Sequence, residues 1–182
     1  MVPTPTPQNL VLIGLMGSGK SSVGRLVAKA LRFNFLDTDQ LLAERAGKSI
    51  SEIFAGEGEA SFRARETEVL ESLRPLSRCV ISTGGGAVLA NHNRTLMREL
   101  GFTIWLTASE EALFERVRRS SHRPLLQTAN PQETLAQLMR ERAPLYEEAS
   151  HHCINTTALQ QQDVVQAVTA AAKEAFAWTP LP

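Results

Sequence analysis

Apolar residues along the chain gather in short runs separated by stretches with helical spacing. Residues 9–15 form a short apolar run closing on glycine, and residues 20–32 then show helical periodicity through Val23, Leu26, Val27, Ala30 and Leu31. Residues 33–36 are apolar again, so the chain opens as strand, helix, strand. The pattern recurs as a strand at 79–82, a helix near 91–100, a strand at 102–106 and a helix at 110–118, and it ends with a strand at 153–155 and a helix at 161–177. Short apolar strands alternating with helices require a mainly parallel sheet covered on both faces, because each parallel pair needs a crossover connection. The predicted fold class is therefore α/β in three layers. Two segments break the alternation. Residues 50–73 hold one or two charged helices between the second and third strands, and residues 119–130 are polar and loop-like. Insertions of this kind belong at the ligand end of such a sheet.

Composition narrows the picture. With 182 residues, 43% of them apolar, the chain suits one compact domain with a substantial core, expected over residues 9–178. The Pro/Thr-rich residues 1–8 read as a disordered leader and 179–182 as a tail. Lys plus Arg and Asp plus Glu number 19 each, so net charge supplies no argument for a nucleic-acid or anionic-membrane partner. Cys79 and Cys153 sit in separate apolar stretches and read as two buried reduced thiols, which suits a cytoplasmic protein. No run approaches membrane-spanning length, and no apolar patch legible in the pattern calls for an oligomer, so a cytoplasmic monomer is expected.

Candidate chemistry begins at Gly14-Leu-Met-Gly-Ser-Gly-Lys20-Ser21, which matches the Walker A pattern and lies directly after a strand and at the opening of a helix. In such a loop the amides of Gly17, Ser18, Gly19, Lys20, Ser21 and Ser22 can curl around phosphate oxygens, and the helix N-terminus adds positive potential. Lys20 would reach the β- and γ-phosphates, and Ser21 would offer a hydroxyl to Mg²⁺. A plain glycine-rich turn is the bland alternative, made improbable by the strand–helix setting. The motif alone leaves kinase, ATPase, GTPase and motor open.

After the second strand, Asp37-Thr38-Asp39 puts two carboxylates at a strand's carboxyl end, where open α/β sheets bind ligands. One could hold a metal-bound water while the other orients an attacking hydroxyl or takes its proton. Equally, Asp37 could merely end the strand and Asp39 cap the next helix. Arg63 and Glu66 are three apart on one helix face, and from spacing alone a solvated ion pair is the favoured reading. Ser82-Thr83-Gly84-Gly85-Gly86 follows the third strand, and its amides can approach a ligand with no side chain in the way.

Taken together, the Walker A loop, Asp37-Thr-Asp39, the Gly-Glu-x-x-Phe-Arg-x-x-Glu of residues 58–66, Thr83-Gly-Gly-Gly86, Arg123-Pro-Leu-Leu and Arg142-x-Pro-Leu-Tyr146 resemble the shikimate kinase family, in order, over roughly residues 9–170. The resemblance implies a five-stranded parallel sheet of the nucleoside-monophosphate-kinase type, a substrate-binding insertion over about residues 38–74 and a mobile lid over about 119–130. It implies transfer of the γ-phosphoryl group of ATP to the 3-hydroxyl of shikimate, a step toward chorismate and the aromatic amino acids. It further implies that Asp39, Arg63, Arg142 and the Gly84, Gly85, Gly86 turn hold shikimate, with Glu66 steadying Arg63. Lys20, Ser21 and the loop amides would hold ATP with Mg²⁺, Asp37 would act on the metal through water, and Arg123 would close over the transferring phosphoryl group. Asp39, Lys20 and Arg123 are thus the expected catalytic groups. Arg116 or Arg119 would stack on adenine. His151 and His152 read as surface residues, and Trp105 and Trp178 as structural. A gluconate-type carbohydrate kinase shares the loop and the fold but explains fewer of these residues. A nucleotide-dependent binding module that had lost its chemistry would have no need of Asp39, Lys20, Arg63, Arg123 and Arg142 together.

Overall fold

The computed structural model describes residues 9–118, 126 and 128–176. The expected leader and tail, Trp178, and most of the expected lid, with Arg119 and Arg123, lie outside these residues.

Strand β1 (Leu10–Ile13) leads through the phosphate loop into helix α1 (Lys20–Leu31), and β2 (Asn34–Asp37) runs directly into α2 (Thr38–Ala46). Helix α3 (Ile50–Ser72) occupies the charged insertion, followed by β3 (Cys79–Ser82), a short 3₁₀ turn (Ala87–Leu89) and α4 (Asn91–Leu100). The remainder is β4 (Phe102–Thr107), α5 (Glu110–Val117), α6 (Pro131–Ala149), β5 (His152–Asn155) and α7 (Gln161–Ala175). All strand pairs are parallel, in the order β2-β3-β1-β4-β5. The five-stranded parallel sheet flanked by helices is the architecture expected from the alternating pattern.

Alternation along β1 divides the core between the two faces. Leu10 and Leu12 join Val23, Val27, Leu31, Val164 and Val168 beneath α1 and α7. Val11 and Ile13 join Leu96, Met97, Leu113 and Tyr146 beneath α4, α5 and α6. Burying each such side chain contributes roughly 1.5–3 kcal/mol. A smaller cluster of Leu42, Ile53, Phe62 and Val69 joins α2 to α3.

Sequence expectation and structure differ at three places. The second strand starts at Asn34, because Arg32 adopts a left-handed conformation (φ 56°) and the Phe33 amide bonds back to Ala28 O at 2.9 Å, closing α1. Helix α6 was not foreseen. Its buried face carries Arg142, and Pro144 removes a backbone donor from its interior, so the apolar period that announces other helices is broken; Asn130 caps it and Pro131 opens it. Cys153 is exposed rather than buried, since β5 is an edge strand and only Ile154 of its four residues turns into the core; Cys79 is buried as expected.

At the closed end of the sheet, buried Asn9 serves three backbone groups. Its amide nitrogen donates to Leu76 O (2.8 Å) and Leu100 O (2.9 Å), and its Oδ1 accepts from the Cys79 amide (3.0 Å). Asn9→Ala would leave the Cys79 amide and the Leu100 carbonyl without partners in a dry site. It is expected to lower the unfolding free energy in urea by about 2–4 kcal/mol. A loss below about 0.5 kcal/mol would show that these strand starts do not depend on Asn9.

Candidate active site

The carboxyl ends of β1, β3 and β2 lie side by side, with Leu12 and Asp37 both in register with Ser82. Everything that leaves those three ends meets above them. From β1 comes the phosphate loop, which turns into α1 at Gly19 (φ 93°), a left-handed conformation suited to glycine. No side chain caps α1, and its first turn carries no acidic residue, so the helix N-terminus keeps its positive potential for a ligand. The Lys20 side chain is largely buried and folds over the loop, donating to Gly14 O (2.8 Å) and Leu15 O (3.1 Å), with Ser18 Oγ 3.5 Å away.

Asp37 ends β2 and does two jobs. Its Oδ2 accepts from Ser21 Oγ at 2.7 Å, and its Oδ1 accepts from the Asp39 and Gln40 amides (3.1 and 3.4 Å), capping α2. The cap weighed for Asp39 therefore belongs to Asp37, and Asp39 stands in the first turn of α2 facing the cavity. Ser82 Oγ, at the end of β3, lies 3.2 Å from Ser21 Oγ.

The opposite wall comes from α3 and α6. Arg63 pairs with Glu66 (Nη1 to Oε2, 2.9 Å) and with Glu59 (Nη2 to Oε1, 3.0 Å). Glu66 is 1% exposed, and its Oε1 has no hydrogen-bond partner. Burial pushes the Glu66 pKa above the ordinary 4.5; Arg63 opposes this, and the nearby Asp39 carboxylate adds to it. Burial also works against the Arg63 charge, but Glu66 and Glu59 outweigh it, and its pKa is raised. Buried Arg142 donates to Gly85 O at 3.1 Å.

Of the three glycines after β3, Gly84 and Gly86 leave room for neighbouring side chains. A methyl group on Gly84 would lie 2.6 Å from Asp39 Oδ1 and 2.7 Å from Glu66 Oε1, and one on Gly86 would collide with the Arg63 guanidinium. On Gly85 the nearest atom would be 3.5 Å away, an ordinary contact. Contrary to the expectation that all these amides face a ligand, the Gly84 amide donates to Thr38 Oγ1 at 3.1 Å. Gly84 and Gly86 are packed against side chains, while all three glycines border the cavity.

Phosphate loop and acceptor wall enclose one cavity of about 610 Å³, a size suited to small-molecule sites. It brings together Gly17, Gly19, Lys20, Ser21, Ser22, Asp37, Asp39, Arg63, the three glycines and Arg142; Ser18 lies buried within the loop beneath it. Ile50, Phe54 and Phe62 add an apolar wall that sequence reasoning missed, although Ile50 and Phe54 are four apart on an otherwise charged helix. Tyr146, also missed, donates to Gly85 O at 2.6 Å. Arg116 reaches the cavity and is fixed by Thr156, through Nη1 to Oγ1 (3.0 Å) and Nη2 to the carbonyl (2.9 Å). His151 and His152 are exposed, as expected, with the His151 Nδ1 accepting from the Thr103 amide at 3.0 Å, and Trp105 stacks on Tyr146.

A Walker A loop that shares its cavity with a separate arginine- and carboxylate-lined pocket, on a five-stranded parallel sheet, defines a P-loop kinase acting on a small molecule. Comparison with known proteins narrows the class. The family model for shikimate kinase matches residues 16–173, and the chain belongs to the shikimate kinase family. It is 45% identical to the shikimate kinase of Thermodesulfovibrio yellowstonii, covering 88% of this chain and 92% of that protein. It is 46% identical to that of Geobacter metallireducens, covering 89% and 90%. Among solved structures, shikimate kinase from Acinetobacter baumannii in complex with shikimate superposes with a TM-score of 0.88 at 38% identity, over 93% of this chain and 95% of that one. A gluconokinase from Sinorhizobium meliloti, 18% identical with a TM-score of 0.56 over 94% of each chain, shares the fold alone.

The Glu66 environment makes a stability prediction. With a folded pKa raised above 4.5, Glu66 binds more protons folded than unfolded between those two values. Its contribution to stability is therefore full below 4.5 and declines as pH rises through that window. Glu66→Gln removes the titration, so the stability difference between variant and wild type should shift in favour of the variant as pH rises through the window. A difference independent of pH in parallel urea titrations would mean that Glu66 titrates as an ordinary carboxylate.

Proposed function

We propose that this enzyme uses Asp39, Arg63 and Arg142 to hold shikimate while Lys20 and the phosphate loop present ATP, and that the γ-phosphoryl group passes to the 3-hydroxyl to give shikimate 3-phosphate and ADP. The observation that carries this reading is the meeting of Lys20 with Arg63, Arg142 and Asp39 around one cavity. Shikimate bears one carboxylate and three hydroxyls. Guanidinium groups suit its acid, and a carboxylate with backbone polar groups suits its hydroxyls. Asp39 orients the attacking hydroxyl or accepts its proton, and a loose phosphoryl-transfer transition state asks little more of it than positioning. The apolar wall of Ile50, Phe54 and Phe62 suits the carbon face of the ring.

Lys20 neutralises charge on the transferring phosphate. ATP enters as its magnesium complex. Ser21 and Asp37, 2.7 Å apart with Ser82 beside them, form a hard-oxygen set suited to a cation that keeps most of its waters. Among the described residues no cluster of three or more His, Cys, Asp or Glu could hold a metal instead. Arg123 is assigned from its motif as the lid arginine that stabilises the moving phosphoryl group; Arg116, which reaches the cavity, is read as the adenine-side arginine. Work as a cytoplasmic monomer, in one domain over residues 9–178, belongs to the same reading; no helix among the described residues is long and apolar enough to cross a membrane.

The test is ADP release from Mg·ATP with shikimate, quinate and gluconate offered separately at equal concentration. Turnover with shikimate alone is expected; turnover with gluconate would overturn the acceptor site. The glycine turn adds a graded prediction. Gly84→Ala and Gly86→Ala displace Asp39, Glu66 or Arg63 and should raise the shikimate KM about tenfold or more, whereas Gly85→Ala should stay within about threefold. Equal effects at all three positions, measured by steady-state kinetics, would contradict the packing described for the turn.

A further inference from the structure

Tyr146 does not line the cavity, yet it bears on the acceptor pocket through one atom. Its hydroxyl and Nη1 of Arg142, one helical turn earlier on α6, donate to the same Gly85 carbonyl, at 2.6 and 3.1 Å. A carbonyl oxygen has two lone-pair directions, and both are taken. On its other side the turn is fixed by the Gly84 amide bond to Thr38. The Tyr146 ring is buried and stacked on Trp105 (centroids 5.7 Å apart), so its hydroxyl is delivered from a rigid base. Burial also pushes the phenol's pKa up, and it remains a donor at any working pH.

We propose that Tyr146 is a positioning residue for the acceptor: by occupying one lone pair of the Gly85 carbonyl it confines Arg142 to the other and fixes the direction in which that guanidinium meets the substrate acid. Three glycines in a row have little stiffness of their own. Without the tyrosine hydroxyl the carbonyl can rotate toward Arg142, and the guanidinium follows. The two hydrogen bonds to the Gly85 carbonyl come from α6, whereas the phosphate-loop backbone at Gly14 and Met16 only neighbours Gly85, so the change falls mainly on the acceptor. The inference rests on the functional reading above, in which Arg142 recognises the acid group of shikimate.

Tyr146→Phe keeps the ring and its stacking. It should raise the shikimate KM about 3- to 10-fold, the worth of one hydrogen bond, while kcat and the ATP KM change less than about twofold. In an Arg142→Ala background the same substitution should add almost nothing, because the effect passes through that guanidinium. Tyr146 is the only tyrosine in the chain, so uniform 3-fluorotyrosine labelling reports on it without a substitution. Its ¹⁹F resonance should move on saturation with shikimate and stay put with ADP alone. This readout serves equally if the Phe variant fails to fold. A lowered melting temperature with unchanged KM values, a fall in kcat alone, full additivity with Arg142→Ala, or a ¹⁹F signal indifferent to shikimate would each overturn the proposal. Absence of shikimate turnover in the wild-type enzyme would remove the functional reading and this inference together; turnover with an unaltered Tyr146→Phe KM would remove the inference alone.

Discussion

The two halves of the active site come from distant parts of the chain, and the carboxylate of Asp37 keeps them in register. One of its oxygens is bound to Ser21 at the start of α1, and the other caps the helix on which Asp39 stands. Because β2 pairs with β3 and β3 with β1, the sheet carries the same relation beneath: Asp37 and Leu12 share Ser82 as register partner. Phosphate side and acceptor side are thus connected both through the strands and through one side chain. A separation set in this way suits in-line transfer, in which about an ångström of misplacement is enough to slow the reaction severely.

The acceptor wall concentrates charge where water is scarce. Arg63, Glu66, Arg142 and Asp39 lie within one cavity lining, and Glu66 is almost wholly buried. Ion pairs in such surroundings contribute little to net stability, because desolvation offsets most of the attraction. Their value lies in direction. Glu66 fixes the Arg63 guanidinium, and Gly86 leaves it room to lie against the backbone. The raised pKa of Glu66 is the electrostatic mark of that compromise.

Much of this is legible in the amino-acid sequence. Short apolar strands and a Walker A loop between strand and helix fix the sheet and the nucleotide side, since backbone geometry demands those residues at that spacing. Asp39, Arg63 and Arg142 were legible only as members of an ordered set of motifs; singly, each has an ordinary structural explanation. What remained hidden depends on contacts between distant residues. Helix α6 lacks a clean apolar stripe because Arg142 faces inward on it and Pro144 interrupts it. The double role of Asp37 requires knowing that Ser21 comes within 2.7 Å of it. The part played by Gly84 and Gly86 depends on Asp39, Glu66 and Arg63 packing against them, which no local pattern encodes.

Helix α3 is interrupted at Gly58, where φ 81° and ψ 172° take the backbone out of helical geometry in open space. The break divides the acceptor wall into two panels. Ile50 and Phe54 stand on the first, while Phe62, Arg63 and Glu66 stand on the second, which continues through Leu70 into the main core. The first panel is seated in the core mainly through Ile53, in the small cluster it shares with Leu42, Phe62 and Val69. On the proposed reading, shape selection straddles the break, through Ile50 and Phe54 on one panel and Phe62 on the other, while Arg63 is carried by the second panel alone. In evolutionary or engineering terms, Ile50 and Phe54 are the part that can be recut to admit a ring of different outline while Arg63, which we propose reads the carboxylate, stays on the panel that the core holds.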